Sequence, residues 1–244
     1  MNSGEQLPDA VVRYAAHEDG LLDVHLPAGP GPHPLVVYVH GGFWKQEYDR
    51  LHARPLCRAL AAEGYVVAVP EYRRVGGGGG WPTTLHDVDA AVAAVPSLLA
   101  ELGVTTTRTS YVGHSAGGHL VLWLADQGHP VDRVVGLAPV GDLPAAARDG
   151  LGGNATQALL GGEPDEVPER YDAADPAVRL GKDTSCDLVV LHGLDDDVVP
   201  VGNSRGLVAR HPEVDLQELA DIDHMAVIDP QSKAFPVLLC TLAP

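Results

Sequence analysis

The sequence predicts an α/β fold: a mostly parallel central sheet covered by helices on both faces. Three observations predict it. Short, uninterrupted apolar runs rich in β-branched residues recur along the chain, as strands buried on both faces require. Segments with helical apolar spacing lie between them, and three of these stop at a glycine. Strands that alternate with helices pair in parallel, because parallel neighbours need a long crossover.

The elements follow in order. Residues 11–15 and 21–26 flank His17-Glu18-Asp19-Gly20. Asp-Gly suits a tight hairpin turn, so the chain opens with an antiparallel pair. Residues 35–39, Leu-Val-Val-Tyr-Val, form the first fully buried strand; 65–69, 109–112, 133–137 and 188–191 are of the same kind, and 214–219 is a weaker sixth. Helices are expected at 50–63 before Gly64, 83–102 before Gly103, 116–127 before Gly128, and at 203–210 and 231–242. Ligands of such sheets bind beyond the carboxyl ends of the strands, which directs attention to the residues just after each run.

Two segments interrupt the alternation. Gly76 to Gly80 is a run of glycines before Trp81-Pro82, read as a flexible surface loop. No GxxxxGK[ST] occurs, so a nucleotide P-loop is not expected. Residues 141–187 are rich in Gly, Pro, Asp and Glu without a strong strand, and are expected to form a lid or cap. With no internal repeat and no dividing linker, residues 1–244 are expected to form a single domain.

Composition narrows the function classes. A length of 244 residues suits one α/β domain, and 45% apolar residues argue against disorder. Sixteen basic against 33 acidic residues leave a formal charge of −17, which repels nucleic acid and anionic membrane surfaces and disfavours polyanionic substrates. Cys57, Cys186 and Cys240 are scattered and odd in number, with no CxxC pair for zinc or redox chemistry; they read as reduced thiols of an intracellular protein. The stretch MNSGEQLPDA lacks the charged and apolar regions of a secretory signal. No apolar run approaches the ~18 residues of a membrane span. A soluble, cytoplasmic protein is expected, and a homo-oligomer is compatible with the sequence.

Gly113-His114-Ser115-Ala116-Gly117 carries the chemistry. It follows the run 109–112 and precedes a helical apolar pattern, Leu120-Val121-Leu122-Trp123-Leu124. A nucleophile elbow needs this strand, tight turn and helix, with small neighbours around a strained serine. The same pattern recurs at Gly202-Asn203-Ser204-Arg205-Gly206, but Pro200 disturbs any strand there and Arg205 crowds the turn. Ser115 is therefore the expected nucleophile, and Ser204 an ordinary residue near a helix start. Acyl transfer also needs donors for the developing oxyanion. One is the N–H of Ala116; the others are expected from His40-Gly41-Gly42-Phe43-Trp44, directly after the first buried strand, through the N–H groups of Gly42 and Phe43. Which two of the three act stays open. Trp44 either lines the pocket or props the loop, and Phe43, Trp44 and Trp81 are candidates to hold an aromatic group.

In folds with such an elbow the acid and the base follow the serine in the chain. After the run 188–191 only His192, His211 and His224 remain. His224, after the last strand and before the final helix, is the best placed base. The acid is Asp195, Asp196 or Asp197, just after a strand. Asp221 and Asp223 are too close to His224 in the chain to face its ring. There is no HExxH pair, and His114 and His119 are off the spacing of one helix face, so no metal ligands are expected.

These motifs resemble the α/β-hydrolase superfamily from about Leu35 to Pro230. Within it, the loop at 40–44 and Gly113-His114-Ser115-Ala116-Gly117-Gly118-His119-Leu120 resemble the kynurenine formamidase and small carboxylesterase branch, with its HGGxW and GHSAGxHL patterns. The stretch from His192 to Pro200 is similar to HGxxDxxVP, which implies Asp196 as the acid. Asp223-His224 followed by Asp229-Pro230 resembles the family's histidine loop. The resemblance implies a hydrolase of small esters or aryl formamides, free of metal and cofactor. Phe43 stands where the hormone-sensitive-lipase branch has a third glycine, and the glycine run at 76–80 belongs to no motif of the family. A non-catalytic binding protein on the same scaffold is the alternative of another class; the complete Ser, His and Asp set opposes it.

Overall fold

The structure, a computed structural model, describes residues 7–181 and 184–243. Eight strands form one sheet: β1 Ala10–Arg13, β2 Leu21–His25, β3 His33–Val39, β4 Val66–Pro70, β5 Thr106–His114, β6 Arg133–Leu137, β7 Asp187–Gly193 and β8 Asp215–Leu219. Their order is β1-β2-β4-β3-β5-β6-β7-β8. The opening hairpin is antiparallel, with Val12 opposite Leu22, and β2 also runs antiparallel to β4. From β4 to β8 every neighbouring pair is parallel.

Alternation along β3 explains its uninterrupted apolar run. Leu35, Val37 and Val39 feed the core on one face, and Val36 and Tyr38 feed the core on the other. One core holds Leu85 and Val88 of helix α2 (Thr83–Glu101), Leu120 of α3 (Ala116–Leu124) and Leu207 of α8 (Gly202–Arg210). The opposite core holds Leu56 and Leu60 of α1 (Arg54–Ala62) with Leu238 and Leu242 of α9 (Ala234–Leu242). Both faces are thus covered.

Three sequence expectations are modified. The helix expected at 50–63 begins as a 3-10 turn, Arg50–Ala53, capped by the Asp49 side chain; α1 starts only at Arg54. Pro55 is the reason, since it has no N–H to donate back along a continuous helix. The glycine run at 76–80 is a hydrogen-bonded turn rather than a loose loop, for the N–H groups of Gly77 and Gly79 both donate to Arg74 O, at 2.8 and 2.9 Å. Residues 141–187 carry four short helices that the sequence reading did not anticipate: α4 Leu143–Arg148, α5 Leu151–Leu160, α6 Pro168–Ala174 and α7 Pro176–Arg179. In α5, Gly152, Gly153 and Asn154 adopt left-handed angles, so the regular helix starts beyond them. Among the described residues, no helix is long and apolar enough to cross a membrane.

Candidate active site

The site lies where the carboxyl ends of β3, β5 and β7 meet the loop after β8. Ser115 connects β5 to α3 with φ 55° and ψ −117°. This is a strained conformation for a residue with a side chain. The two glycines of the motif permit it. A Cβ at Gly113 would stand 2.2 Å from Gly117 O, and one at Gly117 would stand 2.0 Å from Val39 O, so the turn closes only without side chains at both positions. The Ser115 N–H donates to Leu137 O at 2.9 Å, tying the elbow to β6.

The loop after β3 approaches from the other side. Gly42, Phe43 and Trp44 all have positive φ, 109°, 52° and 55°. Three contacts hold this turn. Lys45 N–H donates to Gly42 O at 3.0 Å, Lys45 Nζ donates to Gly152 O at 2.7 Å, and His40 Nε2 meets Glu71 Oε1 at 2.7 Å. Burial alone would raise the Glu71 carboxyl, but the His40 bond, the Arg50 N–H and Arg74 outweigh it and hold the group down at about 2. Among the described residues, none accepts a hydrogen bond from the backbone N–H of Gly42, Phe43 or Ala116.

His224 and Asp196 complete the arrangement. His224 Nδ1 lies 2.7 Å from Asp196 Oδ2, and Asp196 Oδ1 accepts from the N–H groups of Val198 at 2.9 Å and Val199 at 2.8 Å. Burial pushes this carboxyl up, but hydrogen bonds from His192 and His224 prevail and hold it well below the usual range. Of the three neighbouring carboxylates, Asp196 is buried while Asp195 and Asp197 are exposed.

Ser115 and His224 line one cavity of about 320 Å³, together with Gly42 and Phe43. Tyr48, His52, His114, Val198 and Met225 complete its wall. These five escaped the sequence reading. His114 and Val198 lay inside quoted motifs without being read as cavity residues, and Tyr48, His52 and Met225 carry no pattern that points to the cavity. The His114 Nε2–H donates to His224 O at 2.9 Å, and the two rings stand 4.6 Å apart. Burial, aided by His224, pushes His114 down to about 3, so its ring stays neutral around neutral pH.

The structure places neither Trp44 nor Trp81 on this cavity. Trp44 is fully buried and stands edge-on to His119 at 5.2 Å, propping the loop. Trp81 packs against the core, its backbone N–H donating to Leu159 O at 2.8 Å. Packing has claimed both rings. No described residue of 141–187 lines the cavity either; that segment reaches the site through the Lys45–Gly152 contact. A larger cleft, about 640 Å³, opens at the opposite end of the sheet beside Arg133, Asp187 and Asp215, and has no serine or histidine in its described lining.

Residues 22–210 match the family described as BD-FAE. The chain belongs to the BD-FAE family. Its sheet and helices have the α/β-hydrolase fold, superposing on a truncated carbohydrate esterase from gut microbiota with a TM-score of 0.84 at 20% identity, over 98% of this chain and 97% of that one. In sequence, this BD-FAE member is similar to the esterase LipC of Mycobacterium tuberculosis, 29% identical over 224 residues, which cover 82% of this chain and 54% of LipC. It is also similar to a kynurenine formamidase of Danio rerio, 33% identical over 113 residues, 45% of this chain and 36% of that protein. The chain thus spans about half the length of LipC.

Proposed function

We propose that the protein is a serine hydrolase that cleaves small, uncharged carboxylic esters through an acyl-enzyme. One observation carries the reading: Ser115 sits on a strained turn between strand and helix and shares a cavity with His224, whose other ring nitrogen is bonded to the buried Asp196. Ser115 Oγ attacks the ester carbonyl while His224 Nε2 takes its proton. The N–H of Ala116, with those of Gly42 and Phe43, receives the oxyanion. Asp196 holds the imidazole in the required tautomer and stabilises the imidazolium. Collapse of the tetrahedral species expels the alcohol, which takes the proton from His224. Water, deprotonated by His224, then attacks the acyl-enzyme; the acid departs and Ser115 recovers its proton. The named steps need no metal or cofactor.

The cavity favours esters over N-formylkynurenine. No Lys or Arg is among its described lining residues, so the carboxylate of an amino-acid substrate finds no counter-ion there. The formamidase relative keeps the second reading, arylformamidase, in view. In this reading the segment 141–187 acts as a cap that buttresses the loop at 40–45. The unpaired Cys57, Cys186 and Cys240 support a reducing, cytoplasmic setting.

The test uses p-nitrophenyl acetate and N-formylkynurenine with wild type and Ser115→Ala. We expect ester turnover and fluorophosphonate labelling in the wild type and neither in Ser115→Ala, with the fold retained. Wild-type turnover in that variant refutes the assignment, and faster cleavage of N-formylkynurenine than of the ester shifts it to arylformamidase.

A further inference from the structure

The second Gly-x-Ser-x-Gly match has no role in the proposed cycle, yet its serine is connected to the acid. Ser204 and His192 are both fully buried, at 0% exposure, so Ser204 cannot meet a substrate. Ser204 Oγ lies 2.7 Å from His192 Nδ1. His192 Nε2 lies 2.8 Å from Val199 O and 3.3 Å from Asp196 Oδ2. A carbonyl and a carboxylate only accept, so the ring proton facing them is on Nε2, and Nδ1 accepts from the Ser204 hydroxyl. The His192 Nε2–H is thus shared: its hydrogen bond goes to Val199 O at 2.8 Å, and the same nitrogen stands 3.3 Å from Asp196 Oδ2, beside the His224 Nδ1 contact at 2.7 Å.

We propose that His192 and Ser204 are positioning residues for the acid: the Ser204 hydroxyl selects the His192 tautomer, and the His192 Nε2–H anchors Asp196 Oδ2 and draws part of its charge away from His224. The proposal rests on the serine hydrolase reading above. Its sign follows from charge sharing. A carboxylate with a second donor on the same oxygen attracts an imidazolium less strongly. Loss of the His192 donor leaves more charge facing His224, favours the protonated base, and raises the pH at which the base becomes free. The other ionisable groups nearby are His114, whose ring faces His224, His52 on the same cavity wall, and Glu218, opposite His192 on β8 and paired with Arg205. Asp195, Asp197 and Asp223 are exposed on the two loops. The variants below alter none of them.

The experiment measures two pH profiles, kcat/KM for p-nitrophenyl acetate and the rate of fluorophosphonate labelling of Ser115. It compares wild type, His192→Leu, His192→Gln and Ser204→Ala. The glutamine amide presents an N–H close to the position of imidazole Nε2, so His192→Gln restores the donor. We expect the acid limb of both profiles to move up by about half a pH unit or more in His192→Leu. It moves less in Ser204→Ala, in the same direction, and returns towards wild type in His192→Gln. KM stays within about twofold, since neither residue lines the cavity. Superimposable acid limbs in His192→Leu and wild type overturn the proposal, because a merely structural role lowers the yield of folded enzyme without moving the limb. Should His192→Leu fail to fold, Ser204→Ala decides alone, and an unmoved limb overturns the proposal. A wild type that neither labels nor turns over refutes the hydrolase reading and this one with it; an active wild type with an unmoved limb refutes only this one.

Discussion

Asp196 carries the tightest geometry of the site. Three hydrogen bonds hold its carboxylate, two backbone N–H groups on Oδ1 and His224 on Oδ2, and His192 Nε2 stands 3.3 Å from Oδ2. Asp196→Asn keeps the size and charges nothing, but its amide turns one acceptor into a donor, which forces the wrong tautomer on His224. We expect kcat for p-nitrophenyl acetate to fall roughly 10³–10⁴-fold, the scale of such a replacement in a Ser-His-Asp system. A loss smaller than tenfold would hand the acid's role to Asp195 or Asp197. Trp44, in the loop after β3, is the complementary case. Its placement beside two glycines invites a ligand-binding reading, yet it is buried against His119 and holds the backbone that offers the Gly42 and Phe43 N–H groups.

At the scale of elements, the inserted helices depend on Asp175. This residue is fully buried; its Oδ1 accepts from Leu143 N at 3.1 Å and Ala177 N at 3.2 Å, linking the starts of α4 and α7. Its Oδ2 is buried with no hydrogen-bond partner among the described residues. Burial, reinforced by nearby Asp142, pushes the carboxyl up to about 7. Between pH 4 and 7 the folded protein therefore holds a proton that the unfolded chain has lost, and stability falls as pH rises through that window. Asp175→Asn has no such proton to lose. Its Tm is expected to match the wild type near pH 4 and to exceed it at pH 8 by several degrees, since a rise from 3.8 to about 7 is linked to up to roughly 4 kcal/mol. Parallel Tm curves across that range would show that Asp175 is ionised in the folded state throughout.

The whole molecule acts through its charge. The formal charge is −17 over 244 residues, and exposed Glu47, Asp197 and Asp223 each adjoin a residue of the cavity wall, so a negative field is expected at its mouth. Such a field would steer cationic esters inward and repel anionic ones, and salt would screen both effects. From about 20 to 200 mM salt, kcat/KM is expected to fall roughly threefold for a choline ester and to rise for a hemisuccinate ester, while p-nitrophenyl acetate is unaffected. Equal salt responses for the three would show that the field at the mouth is negligible.

Local pattern decided much of this protein. The β-branched runs place every central strand, because residues buried on both faces leave an uninterrupted apolar signature in the chain. The serine turn is marked just as locally, by Gly113, Ser115 and Gly117 within five residues; Gly113 is required by the turn itself, whereas Gly117 is required by the backbone of β3, which comes within 2.0 Å of where its Cβ would stand. Short helices leave no such mark. Helices α4, α6 and α7 run to 6, 7 and 4 residues, below what propensity alone sustains, and exist through their packing. The meeting of distant groups was likewise decided in three dimensions. His114 and His224 touch across 110 residues of chain, and Asp196 and His224 across 28. Only the parallel register of β5 to β8 brings those loops to one end of the sheet. Sequence marks which residues are able to do chemistry, because steric and periodic constraints act between neighbours; the tertiary structure decides which of them meet, because burial and hydrogen bonding act between residues that the chain keeps far apart.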